Sequence, residues 1–138
     1  MATFLADKSA LTRRETRPEV REILEPLIVA GDVATCGIVD LELLYSANSR
    51  SSYRTIAKGL RGMPRVPLNE ICVERALEVQ GLLAERSQHR GVGLPDLLVA
   101  ACAENAGLTV LHYDGDFERI AKLTGQPVRW IVARGSVS

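Results

Sequence analysis

Apolar residues fall at i, i+3, i+4, i+7 and i+8 through Leu94, Leu97, Leu98, Ala101 and Cys102. That spacing is one face of an α-helix. Val99, Ala100 and Ala103 make the other face apolar as well, so the segment predicts a helix buried nearly all round. Asn105-Ala106-Gly107 closes it. Short apolar runs at residues 3–6, 33–36, 108–112 and 128–132 predict buried strands. Helical stripes lie between them. Residues 18–30 carry Val20, Ile23, Leu24, Leu27 and Ile28 inward, with a kink or break expected at Pro26. A second helix follows Asp40, which could cap it, with Leu41, Leu44 and Tyr45 inward. Residues 51–60 form a more polar helix. Asn69 caps a long one running to about Arg86, with Cys72, Ala76, Val79 and Leu83 inward. Residues 117–123 form a short last helix. Residues 8–11 read as a turn and 65–68 as a brief extended piece. Strands alternating with helices predict an α/β fold with a mostly parallel central sheet of 4–5 strands flanked by helices. At 138 residues, positions 1–138 read as a single domain.

One residue breaks the apolar pattern of the organising helix. Asp96 sits in its first turn, just after Pro95 at an expected N1 position. A carboxylate beside a core helix costs free energy unless something pairs with it. The helix N-terminus offsets only about 0.3–1 kcal/mol, and the nearest base is Arg90. Other acids are placed to meet it. Asp7 follows the first strand, Asp114 and Asp116 follow the strand at 108–112, and Glu42 lies near a helix start. In a parallel sheet these positions share the rim beyond the carboxyl ends of the strands, where ligands bind. Several carboxylates a few ångströms apart cannot all stay ionised without a counter-charge. A hard divalent cation, Mg²⁺ or Mn²⁺, takes oxygen ligands and suits phosphodiester hydrolysis. Each acid also has a plain structural role open to it. Asp7 could cap a strand end, Glu42 could face solvent, and Asp114 and Asp116 could make an Asx turn or cap the next helix. Ser9 could support a ligand, bind phosphate or simply turn the chain.

Composition narrows the picture less. The chain holds 17 basic and 17 acidic residues, so net charge argues neither for nor against a nucleic-acid partner. No apolar run approaches a membrane span, and no basic-then-apolar leader opens the chain. Cys36, Cys72 and Cys102 are odd in number and separated in sequence, each among apolar neighbours. They read as core thiols of a cytoplasmic protein. With His89 and His112 isolated, a zinc site is not expected.

Four segments together resemble one family. Leu5-Ala6-Asp7-Lys8-Ser9-Ala10 is similar to the opening motif of PIN-domain ribonucleases. Asp40-Leu41-Glu42-Leu43-Leu44-Tyr45 resembles their second motif, Leu94-Pro95-Asp96-Leu97-Leu98 the third, and Tyr113-Asp114-Gly115-Asp116-Phe117 the fourth. Order, spacing and chain length resemble the VapC toxins of bacterial toxin–antitoxin pairs. The resemblance implies a three-layer PIN-like domain and a Mg²⁺- or Mn²⁺-dependent endoribonuclease. It implies cleavage of structured RNA (tRNA or rRNA) that stops translation, a cognate VapB-type antitoxin, and a homodimer. Asp7, Glu42, Asp96 and Asp114 match the acidic quartet, Asp116 a frequent fifth acid and Ser9 a supporting hydroxyl. The expected metal ligands are Asp7, Asp96 and Asp114, with Glu42 and Asp116 completing the catalytic set. The chain departs from the family at His112-Tyr113, where Thr-Arg or Thr-Asn is common.

Arg13, Arg14, Arg17 and Arg21 crowd the segment after the first motif. Arg13 and Arg14 are the expected RNA contacts, a salt-sensitive role. Arg54, Lys58 and Arg61 make a second stripe, read as a solvated face. Few aromatic residues are present, so no base-stacking platform is expected and recognition by shape and backbone is. Leu43, Leu44 and Tyr45 fit either a partner-helix groove or plain core packing. Two other protein classes fit poorly. A phosphoacceptor receiver domain needs paired acids after strand one and a late lysine, and haloacid-type phosphatases need Asp-x-Asp where Asp7-Lys8-Ser9 stands. A non-catalytic metal-binding interaction module of the same fold stays open.

Overall fold

The computed structural model describes residues 2–138. Its centre is a four-stranded sheet, β1 (Phe4–Ala6), β2 (Val33–Ala34), β3 (Thr109–His112) and β4 (Val128–Trp130). All neighbours pair in parallel, in the order β2-β1-β3-β4. The extended piece expected near residue 65 makes one parallel bridge, Arg65 to Thr35, and no strand. Phe4, Leu5 and Ala6 are all buried, as are Val110, Leu111 and His112. Continuous burial is what a parallel sheet covered on both faces requires.

Seven helices cover it: α1 (Lys8–Leu11), α2 (Pro18–Val29), α3 (Gly37–Tyr45), α4 (Arg50–Arg61), α5 (Glu70–Glu85), α6 (Leu94–Ala106) and α7 (Asp116–Thr124). The chain leaves β1 for β2 on one side and later places β3 on the other. The crossover direction therefore reverses between β1 and β3, and a crevice opens at their carboxyl ends. The helix α6 packs against β1, β3, α3, α5 and α7. Leu97, Val99, Ala100, Ala101, Cys102 and Ala103 are all buried, and Gly107 ends the helix in the left-handed region at φ 71°.

Several local expectations are corrected. Residues 8–11 form a helical turn, capped when Asp7 accepts from the Ser9 amide. The helix α2 runs unbroken through Pro26. Pro95 is the second residue of α6, and Leu94 is 64 % exposed. The helix α3 begins at Gly37, so Asp40 lies inside it rather than capping it, and Glu42 sits at mid-helix. Asp40 is buried and receives Arg65 Nε at 2.7 Å. Leu41 and Tyr45 point outward, 65 % and 92 % exposed. That segment is apolar nearly all round, so periodicity could not set its phase. Its packing on α1, α4 and α6 does. The three cysteines are buried and free. The neighbouring Cys36 thiol, then burial, raises the Cys102 thiol, and Cys72 adds to the rise. Thiols far apart in sequence thus meet in the core.

Candidate active site

Asp7 leaves the end of β1 still tied to the sheet, its amide donating to Leu111 O at 2.9 Å. Its side chain turns back over α1, and Oδ2 accepts from the Ser9 amide at 3.0 Å. Ser9 Oγ in turn accepts from the Tyr113 amide at 2.8 Å. The first motif is thus stitched to the chain just past β3. The other Asp7 oxygen, Oδ1, is buried with no hydrogen-bond partner among the described residues.

The fourth motif is a tight turn. The Asp114 amide donates to His112 Nδ1 at 3.1 Å. Asp114 Oδ1 accepts from the Asp116 amide at 3.0 Å, an Asx-type turn that launches α7. Asp116 Oδ2 accepts from the Gly93 amide at 3.3 Å. Gly93 is the N-cap position of α6, whose first turn carries Asp96. A Cβ at Gly93 would stand 3.4 Å from Asp96 Oδ2, so a glycine lets this backbone come close to the acids. One carboxylate oxygen each from Asp96, Asp114 and Asp116 falls within 4.8 Å of the others. Asp116 thus gives its amide to the Asx-type turn of Asp114 and its carboxylate to the acid group, and its side chain does not cap α7. Asp7 stands outside that triplet but close enough for its charge to act on Asp96. Glu42 reaches in from α3. Its Oε2 lies 3.2 Å from Lys8 Nζ, and its Oε1 is buried without a partner among the described residues.

Crowding has the expected electrostatic result. Burial, a hydrogen bond with Asp116 and the charges of Asp7, Asp114 and Asp116 push the Asp96 carboxyl up to about 9. Burial raises Asp7 too, against the lowering effect of its Ser9 hydrogen bonds, with Glu42 and Asp114 adding to the rise. Burial drops His112 to about 4. The residues present fit a hard divalent cation. The donor set is all carboxylate, and two of its buried oxygens, Asp7 Oδ1 and Glu42 Oε1, lack partners among the described residues.

The basic residues divide. Arg13 lies 4.5 Å over the Tyr113 ring, and donates to Ser9 O at 2.7 Å and Ser138 O at 3.1 Å. It borders the site. Arg14 pairs with Glu25 and Arg21 donates to Arg14 O, so both are engaged within their own segment. Arg17 donates to Ser138. Arg54, Lys58 and Arg61 are exposed on α4. Arg134 was not singled out from the sequence. Its guanidinium lies 5.5 Å from the Trp130 ring centroid and would be 3.5 Å from a Cβ at Gly115, between Asp114 and Asp116. No spacing rule reaches it from the acidic motifs.

An all-parallel α/β domain with acids gathered at its topological switch point is the class defined by fold and site. The family model described as PIN domain matches residues 5–123. Ribonuclease VapC21 of Mycobacterium tuberculosis is 47 % identical over 134 residues, covering 96 % of both chains. Ribonuclease VapC51 of the same organism is 46 % identical over 134 residues, covering 97 % of this chain and 96 % of its own. The chain belongs to the PIN-domain family, among its VapC ribonucleases. The fold is shared with a chain of the crystal structure of DNA-bound VapBC from Salmonella typhimurium, with a TM-score of 0.79 and 19 % identity over 96 % of this chain and 100 % of that one. Among the described residues, no helix is long and apolar enough to cross a membrane.

Proposed function

We propose that this protein is a divalent-metal-dependent endoribonuclease and the toxin of a toxin–antitoxin pair, acting on structured RNA, tRNA or rRNA. The observation that carries the reading is the meeting of Asp96, Asp114 and Asp116 beside the unpartnered Asp7 Oδ1 and Glu42 Oε1. Asp7, Asp96, Asp114 and Asp116 would hold Mg²⁺ or Mn²⁺, with Glu42 at the edge of the shell. A bound ion supplies a water of lowered pKa and screens phosphate charge. The chain's own residues do the rest. The Ser9 amide holds Asp7 Oδ2, leaving Oδ1 free to face the site. Lys8, half exposed beside Glu42, offers an ammonium to an incoming phosphate. Arg13 and Arg134 flank the acids on the Tyr113 and Gly115 side, suited to hold the RNA backbone.

The partner reading rests on α3. Leu41 and Tyr45, with Lys8 and Glu42, line a shallow cavity of about 330 Å³ beside the acids. A VapB-type antitoxin segment laid on Leu41 and Tyr45 would cover the site. Pairing of two copies is proposed as the form that acts.

Purified protein is incubated with total RNA in Mn²⁺, Mg²⁺ or EDTA, beside Asp7→Asn and Asp96→Asn. Discrete cleavage that needs both metal and aspartates is the expected result, and its mapped position separates tRNA from rRNA. A folded, metal-loaded wild type that cuts nothing would leave a non-catalytic metal-binding module as the better reading.

A further inference from the structure

The side chain of His112 is fully buried at the end of β3. Its ring lies between Phe117, with centroids 5.1 Å apart, and Trp130, 4.8 Å apart. Its two nitrogens face different ways. Nδ1 accepts the Asp114 amide at 3.1 Å. Nε2 faces Glu118 Oε1 at 3.6 Å, beyond hydrogen-bond reach, and has no other partner among the described residues. An Nδ1 that accepts carries no proton, so the neutral ring carries its proton on Nε2. The bonds then run in series: Asp114 amide to His112, Asp116 amide to Asp114, Gly93 amide to Asp116. The first link is the one made by a rigid, packed ring. The others are made by the acids themselves, which a cation would also engage.

We propose that His112 is a positioning residue: as its Nε2–H tautomer, it fixes the turn from Asp114 to Asp116, so that both carboxylates converge on Asp96. It touches neither substrate nor metal. The proposal rests on the metal-centre reading for its consequence, and on the hydrogen-bond geometry alone for the turn.

Substitution separates the two nitrogens. Asn places its amide oxygen one bond from Cγ, where Nδ1 stands. Gln places its polar atoms one bond further out, near Nε2. Phe keeps the stacked ring and removes both. Nitrogen-15 NMR of the metal-free wild type should show Nδ1 unprotonated and Nε2 protonated. Amide exchange at Asp114 and Asp116 should stay slow in His112→Asn and speed up in His112→Gln and His112→Phe. Calorimetric Mn²⁺ affinity should fall about 10–100-fold in His112→Gln and His112→Phe, the usual cost of losing a group that orients a ligand. It should stay within about threefold of wild type in His112→Asn. If His112→Phe does not fold, the Asn and Gln proteins decide between them. An Nδ1-protonated ring in wild type overturns the proposal, as does equal amide protection and Mn²⁺ affinity in the Asn and Gln proteins. A wild type that binds no Mn²⁺ removes the metal-centre reading instead, and the tautomer and amide exchange still decide the role of His112.

Discussion

Lys8 Nζ stands 3.2 Å from Glu42 Oε2, joining the first turn after β1 to the middle of α3. The pair sets an ammonium at the lip of a carboxylate cluster. Half-exposed pairs contribute about 0–1 kcal/mol to stability, so Lys8→Met should shift the melting midpoint by less than ~5 °C. Its charge matters more to a polyanion. Cleavage efficiency should fall about tenfold, a barrier rise of ~1.4 kcal/mol, and salt should inhibit the variant less steeply than wild type. A salt dependence identical to wild type would remove Lys8 from the RNA surface.

The metal-free protein should lose stability between about pH 7 and 9. Asp96 titrates near 9 when folded, above its ordinary value of 3.8. A carboxyl raised by folding favours the folded state while protonated, and that contribution is lost progressively from the ordinary value up to the folded one, so pH 7 to 9 is the last part of the loss. Asp7 shifts the same way. His112, lowered to about 4, acts on the acid side of its ordinary 6.5 and does not interfere in this window. Melting curves in EDTA should therefore drop from pH 7 to 9, and Mn²⁺ should add more stability at pH 9 than at pH 7. In Asp96→Asn the drop should flatten.

Asp7→Asn should uncouple folding from activity. An amide still offers an oxygen to the Ser9 amide and removes one charge from a crowded cluster. The variant should melt at or above the wild-type temperature in EDTA. RNA cleavage should fall at least ~100-fold, the scale of losing several kcal/mol of charge stabilisation. Equal loss of both would make Asp7 a structural residue.

Leu83→Ala supplies the contrast. Leu83 is fully buried on α5, on the face turned to the core. Its truncation should cost about 2–5 kcal/mol in denaturant unfolding, while cleavage per folded molecule stays at the wild-type level. A matching fall in specific activity would mean that the site depends on packing well beyond its own residues.

Much of the fold is legible in the chain because local rules act on neighbours. The stripe Cys72, Ala76, Val79, Leu83 with Asn69 before it names α5 and its buried face, and the structure returns both. Gly107 ends α6 for the reason any left-handed C-cap does. The helix α3 was misphased since Leu41, Leu43, Leu44 and Tyr45 surround it with apolar side chains, and a helix apolar all round has no readable face. The extended piece expected at 65–68 makes one bridge, Arg65 to Thr35, and no strand, since the Pro67 nitrogen has no hydrogen to donate to a longer ladder.

The acids divide in the same way. Their types and order, and the strand-end positions of Asp7 and Asp114, were set by sequence alone, since element boundaries are local and a parallel sheet puts its carboxyl ends on one edge. Which oxygens meet was decided only by tertiary structure. Asp96, Asp114 and Asp116 form the closest group, with Asp7 and Glu42 alongside. The burial that raises Asp96 toward 9 and the ring of His112 beneath Asp114 belong to the same level. The physical reason is distance. Coulomb repulsion, desolvation and hydrogen bonding act over a few ångströms, and residues 7, 42, 96 and 114 come within that range only after α6 has packed against β1 and β3.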